Sequence, residues 1–150
     1  MDFSELGLPD TYRDNYARDL AADAKEARWV TERWAGVQRA EAVRARDAAK
    51  KGTASAARHA TRVKVFDELG TMGVDSSITP QSLRAQAEQL EGEADTALAA
   101  AEGDLTPRSH VPRCRAEALR ETAAHLEQAI ASRHAETTAD WRRTAADYRA

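Results

Sequence analysis

Bulky apolar residues are scarce in this chain. Leu, Ile, Val and Phe number 21 of 150 residues, well under the roughly one-fifth that marks a core-forming composition. That shortage argues against a thick-cored globule. No apolar run approaches the roughly 20 residues that a membrane helix needs, and residues 1–25 hold no apolar stretch of the kind a secretory signal carries. One cysteine, Cys114, gives no internal disulfide, which suits a reducing cytoplasm. Glycine (7) and proline (4) together number only 11, which argues against disorder. Charge of one sign is lacking too, since the net charge is only −3, and this argues against a disordered polyelectrolyte.

What the chain has is alanine, 33 residues of it, and Ala, Glu, Lys, Leu and Arg together make 78 of 150. That composition is the signature of long helices and coiled coils. Arginine outnumbers lysine 18 to 4, as a GC-rich bacterial genome would give. The expected fold is all-α. It is an elongated, antiparallel, coiled-coil-like bundle in one domain, with helices at roughly 11–51, 53–69, 80–102 and 112–149.

The breaks have local reasons. A lead ends at Pro9, with Phe3, Leu6 and Leu8 available to pack on the bundle, and Asp10 can cap the first helix. Lys50-Lys51-Gly52 reads as a helix stop, with cations at the negative helix end and a glycine free to turn left-handed beyond it. Residues 70–79 form the clearest loop, and Thr79-Pro80 then supplies an N-cap and a first-turn proline. Gly103 ends the third helix before a Pro-containing connector, 106–112. At 1.5 Å per residue the first and last helices span roughly 60 and 57 Å, and the middle two sum to roughly 60 Å. Three rods with the middle one interrupted near 70–79 are therefore expected, a four-helix bundle being the alternative.

Faces carry more information than lengths. Tyr12, Tyr16, Leu20, Ala27, Val30, Trp34 and Val37 fall on one line of the first helix, while Trp29, Gly36, Ala40 and Val43 form a second apolar group nearly opposite. A helix apolar on two sides is either central in its bundle or shared with a partner. Trp29, Gly36, Ala40 and Val43 are accordingly the expected partner-binding positions, for a protein partner or a second copy. Packing of Trp29 beneath the lead or the 70–79 loop is the competing reading.

Charge is segregated along the chain. Residues 39–64 hold eight cations against two anions: Arg39, Arg44, Arg46, Lys50, Lys51, Arg58, Arg62 and Lys64. Residues 65–105 hold nine anions against one cation. Clustered cations bind nucleic acid by releasing its counterions, which makes the basic segment a candidate nucleic-acid surface. No aromatic lies between Trp34 and Phe66 to stack a base, so pairing of the basic segment with the acidic third helix, within or between chains, is preferred.

Constellations for chemistry are thin. No His has Glu three positions before it, as a di-iron bundle requires. One cysteine does not make a zinc site, so no metal and no cofactor is expected. Cys114 stands between Arg113 and Arg115 at a helix start, a setting that lowers a thiol pKa. Arg120-Glu-Thr-Ala-Ala-His125 resembles the Arg-x4–6-His signature of HEPN-type ribonucleases, small all-helical dimers that cleave RNA. The resemblance covers six residues and implies Arg120 and His125 as the catalytic pair. The preferred reading is a non-catalytic cytoplasmic scaffold or adaptor that works through helix contacts and self-association. Nucleic-acid binding through 39–64 is the alternative, and a HEPN-like ribonuclease is third.

Overall fold

Glycine and proline divide the chain where the sequence places them. Gly52 sits at φ +79°, a left-handed turn that side chains with a Cβ resist. Thr53 then caps the next helix by accepting the Ala56 N–H at 3.2 Å. At the second break Thr79 and Ser82 exchange bonds. The Ser82 N–H donates to Thr79 Oγ1 at 3.0 Å and the Thr79 N–H to Ser82 Oγ at 2.8 Å, a reciprocal cap ahead of Pro80.

The computed structural model describes residues 2–100 and 110–150. These form four α-helices and no strand: α1 (Arg13–Ala48), α2 (Ala54–Leu69), α3 (Pro80–Ala100) and α4 (Val111–Arg149). The protein is an all-α helical bundle. Short 3-10 turns at Phe3–Leu6, Asp10–Tyr12 and Met72–Val74 complete it. The first helix is shorter than expected at both ends, because 10–12 wind as a 3-10 turn and Ala49 is extended. Ala101, Glu102, the stop at Gly103, Asp104 and most of the 106–112 connector lie outside the described residues.

At 1.5 Å per residue α1 is about 54 Å long and α4 about 58 Å. Their antiparallel pairing reads as a ladder. Trp141 Nε1 donates to Asp19 at 2.9 Å, His134 meets Asp23 at 3.1 Å, Arg133 meets Glu26 at 2.9 Å, and His125 meets Thr31 at 2.9 Å. Past Thr31, α1 takes α2 as its neighbour, with Arg39 on Asp67 at 3.1 Å. α3 runs antiparallel on α4, tied by Arg84–Glu127 at 2.7 Å, Glu91–Arg120 at 2.7 Å and Asp95–Arg113 at 3.2 Å. α2 touches both α1 and α4.

Two apolar centres result. The larger gathers Val65, Phe66, Leu69, Met72, Leu83, Leu119 and Leu126 around alanines of α1, α3 and α4. The smaller sits at the amino end, where Phe3, Leu6 and Leu8 pack with Tyr16 and Ala145, as the lead's composition suggested. On α1 the deepest positions are small: Ala27, Thr31 and Ala35 are fully buried. Val37, placed by sequence on the inward line, is 55% exposed. Helices that meet through methyl groups approach closely, so small residues take the centre and bulky ones its margins. No described helix is long and apolar enough to cross a membrane.

Candidate interaction surface

The outward side of α1 carries Trp29, Gly36 and Ala40 exposed, with Val43 half-buried. The indole of Trp29 is 43% exposed. One flank is closed by the 70–79 loop: a Cβ on Gly73 would stand 1.8 Å from Trp29 Cδ1. The Gly73 N–H also donates to Glu32 Oε2 at 3.1 Å, which pins the loop to α1. Over the ring lies the Lys25 ammonium at 5.2 Å, within cation–π range. The loop and an outward strip therefore both claim Trp29. Further along, nothing stands within 4 Å of where a Cβ of Gly36 would be, and Val37 adds an exposed apolar side chain that the sequence reading assigned inward.

The basic segment divides into two sets. Arg39 pairs with Asp67, Arg46 with Asp47, Arg58 with Glu117 at 3.2 Å and Arg62 with Glu121 at 3.1 Å. None of these acids belongs to α3, which corrects the expected pairing of the basic segment with the acidic third helix inside one chain. Glu91 and Asp95 of α3 pair with Arg120 and Arg113 of α4, because α3 lies along α4. Arg44, Lys50, Lys51 and Lys64 make no ion pair among the described residues. An open groove of about 460 Å³ where α1, α2 and α4 meet is lined by Arg39, Arg46, Lys64 and Arg115 and by Asp67, with Arg39 paired to Asp67 and Arg115 to Glu68.

The groups singled out for chemistry are engaged in packing. Cys114 is buried, and burial, helped by Glu117, pushes its thiol pKa up against the pull of Arg58, Arg62 and Arg113. The expectation of a lowered thiol pKa is thus overturned, since desolvation of the thiolate outweighs the neighbouring guanidinium groups. Arg120 clamps Glu91 with two bonds, 2.7 and 2.9 Å. The His125 ring stacks on Trp34 at 4.6 Å, 16° from parallel, and its Nδ1 lies 2.9 Å from Thr31 Oγ1. Arg120 faces α3 and His125 faces α1, so one chain does not bring them together. Among the described residues no three His, Cys, Asp or Glu side chains are grouped to hold a metal ion.

Comparison with family models, curated proteins and solved structures gives no match.

Sequence reasoning did not single out Arg28. It is 8% exposed and its Nε has no hydrogen-bond partner. Asp75 of the 70–79 loop is within electrostatic reach of it, a relation between distant positions that no local pattern signals. Burial also holds the His125 pKa below its ordinary value. The neutral ring's contribution to stability is therefore complete above about pH 6.5 and is lost as pH falls through the lower folded value. We expect the thermal midpoint to drop between about pH 7.5 and pH 5, with a shallower drop for His125→Gln, which does not titrate. Equal slopes in the two proteins would place the acid sensitivity elsewhere.

Proposed function

We propose that the protein is a non-catalytic helical scaffold or adaptor that acts by contact along the outer side of α1. The observation that carries this reading is the outward side of α1, where Trp29 is 43% exposed and Gly36 has open space above it, with Val37, 55% exposed, about a quarter-turn further round the helix. Apolar side chains grouped into a contiguous exposed patch mark contact surfaces. Self-association and capture of a protein partner are both contact functions of this strip. A lone thiol is compatible with a cytoplasmic setting.

Gly36→Arg tests the reading directly. Replacing a mid-helix glycine stabilises a helix by about 0.5–1 kcal/mol, and the site has room, so the fold persists while the strip is blocked. Concentration-dependent association, followed by sedimentation or light scattering, is expected to weaken at least tenfold. Unchanged association of a folded variant would remove the strip as the contact surface.

A second reading has its own observation. The four unpaired cations Arg44, Lys50, Lys51 and Lys64 and the groove lined by Arg39, Arg46 and Arg115 support nucleic-acid binding. Its sign would be affinity for a duplex that falls steeply with salt.

A further inference from the structure

Charge on α1 is sorted by side. Asp19 accepts the Trp141 Nε1–H at 2.9 Å, Asp23 meets His134 at 3.1 Å, and Glu26 meets Arg133 at 2.9 Å, so three acids are engaged by α4. Glu32 is engaged by the 70–79 loop, accepting the Gly73 N–H at 3.1 Å. Four cations of α1 have no such engagement. Arg18, Lys25, Arg33 and Arg44 are exposed and make no ion pair among the described residues. At 3.6 residues per turn all four fall within about 60° of the direction of Trp29, along about 39 Å of helix. Between positions 18 and 44 the charge left unpaired on the outward side is therefore all positive.

Trp29 stands in this line, 43% exposed, with the Lys25 ammonium 5.2 Å from its ring centre. Gly73 lies against the indole, and the next residue, Val74, is 77% exposed. Asp75 follows, and its carboxylate is already occupied. It accepts the Ser77 N–H at 2.9 Å and the Ser77 hydroxyl at 2.7 Å, and it lies within electrostatic reach of Arg28. The outward side thus combines a basic line with two exposed apolar side chains beside one another.

From this arrangement we infer that the outward side of α1 binds an anionic lipid surface, with Trp29 and Val74 entering the headgroup layer. Clustered Lys and Arg on a helix draw acidic headgroups, and a planar anionic surface meets charges spread over this length without a matched pocket for each. An indole has an apolar body and a polar N–H, which suits the boundary between water and lipid. A nucleic-acid duplex would engage the cations and leave Trp29 and Val74 in water. No span is involved, since the helix lies along the surface as interfacial helices do. The inference goes beyond the contact function proposed above. The two share Trp29, but helix contact needs the space over Gly36 and lipid contact needs the positive charge.

Co-sedimentation of the full chain with vesicles tests this. Vesicles of equal parts phosphatidylserine and phosphatidylcholine are expected to bind it, vesicles of phosphatidylcholine alone are not, and binding should weaken as salt rises. Arg18→Gln with Arg33→Gln should lower the affinity about 25-fold, about fivefold for each charge removed. Both side chains are exposed and unpaired, so circular dichroism should report intact helices. Anionic vesicles should shield tryptophan fluorescence from acrylamide in the wild type and not in Trp29→Phe. Gly36→Arg separates the two uses of α1, because it obstructs helix contact and adds a cation to the same side. Its association should fall while its vesicle affinity rises about fivefold. A wild type that ignores anionic vesicles at low salt, full binding by the Arg18/Arg33 double variant, or equal shielding in Trp29→Phe overturns the lipid assignment and leaves the helix contact standing. Binding of duplex DNA or polyglutamate in place of vesicles overturns it equally. Vesicle binding with association unchanged in Gly36→Arg upholds the lipid assignment and removes the helix contact alone.

Discussion

Phe66→Ala is expected to lower the unfolding free energy by about 3–5 kcal/mol, the usual cost of emptying a large aromatic site. Phe66 is fully buried. Its ring meets Trp34 edge-on, with centroids 5.6 Å apart, and the Arg62 guanidinium lies over it at 5.0 Å. Trp34 in turn stacks on His125 of α4, so one chain of rings joins α2, α1 and α4 where α1 changes neighbours. Few atoms are available to refill the space, because alanine supplies much of the surrounding core. Against a typical total of about 5–15 kcal/mol, the loss is large enough to read in any urea or thermal midpoint. A cost below about 1 kcal/mol would show that the ring is not the junction of these helices.

Gly73→Ala is expected to have the next largest effect, a loss of about 1–3 kcal/mol from overpacking together with a more solvent-exposed Trp29. The added methyl would sit 1.8 Å from Cδ1 and 2.5 Å from Nε1 of the indole, and 2.5 Å from Glu32 Oε2. Two relaxations are open. Either the indole swings outward, or the Met72–Val74 turn lifts and gives up the Gly73–Glu32 bond. Both increase collisional quenching of tryptophan fluorescence by acrylamide. Lifting the turn would also uncover Met72, which is fully buried. Because Trp29 belongs to the outward side of α1, the same substitution should alter association if that side is the contact surface proposed above. Unchanged quenching with unchanged stability would mean that the loop does not pack on the indole.

Much of the fold was legible where one residue decides a local geometry. Gly52 and the Thr79-Pro80 pair stop and start helices by backbone constraint alone, and the structure breaks the chain at both. Phe3, Leu6 and Leu8 could be assigned to packing because a short lead has no other use for three large apolar groups. What a helical projection missed was the rotation of the buried face. Val37 lies on the line drawn through Tyr16, Ala27 and Trp34, yet it is outside. That line assumes one neighbour along the whole helix, and α1 has α4 first and α2 later.

Partner choice was less legible still. The basic segment looked made for α3 from composition, but Arg58 and Arg62 find Glu117 and Glu121 because α2 and α4 are adjacent. Adjacency is set by loops and burial, which charge counts do not contain. Cys114 failed for a related reason. Arg113 and Arg115 beside it in sequence suggested a thiolate, whereas the degree of burial, a three-dimensional property, raises its pKa. The outward positions 29, 36 and 40 were visible because a helical projection groups residues on one side without knowledge of neighbours. The exposed side of α3 was hidden by its alanines, which look the same whether they face a core or solvent.

The smaller apolar centre has a mechanical consequence. Phe3, Leu6 and Leu8 close over Tyr16 and Trp141 at one extremity, while Trp29 to Val43 lie 13 to 27 positions further along α1, about 20–40 Å away. Loss of the packing of residues 2–9 is expected to open that extremity while the centre around Phe66 stays closed. The face proposed as a contact surface thus lies away from that extremity, along the part of α1 that the larger centre holds.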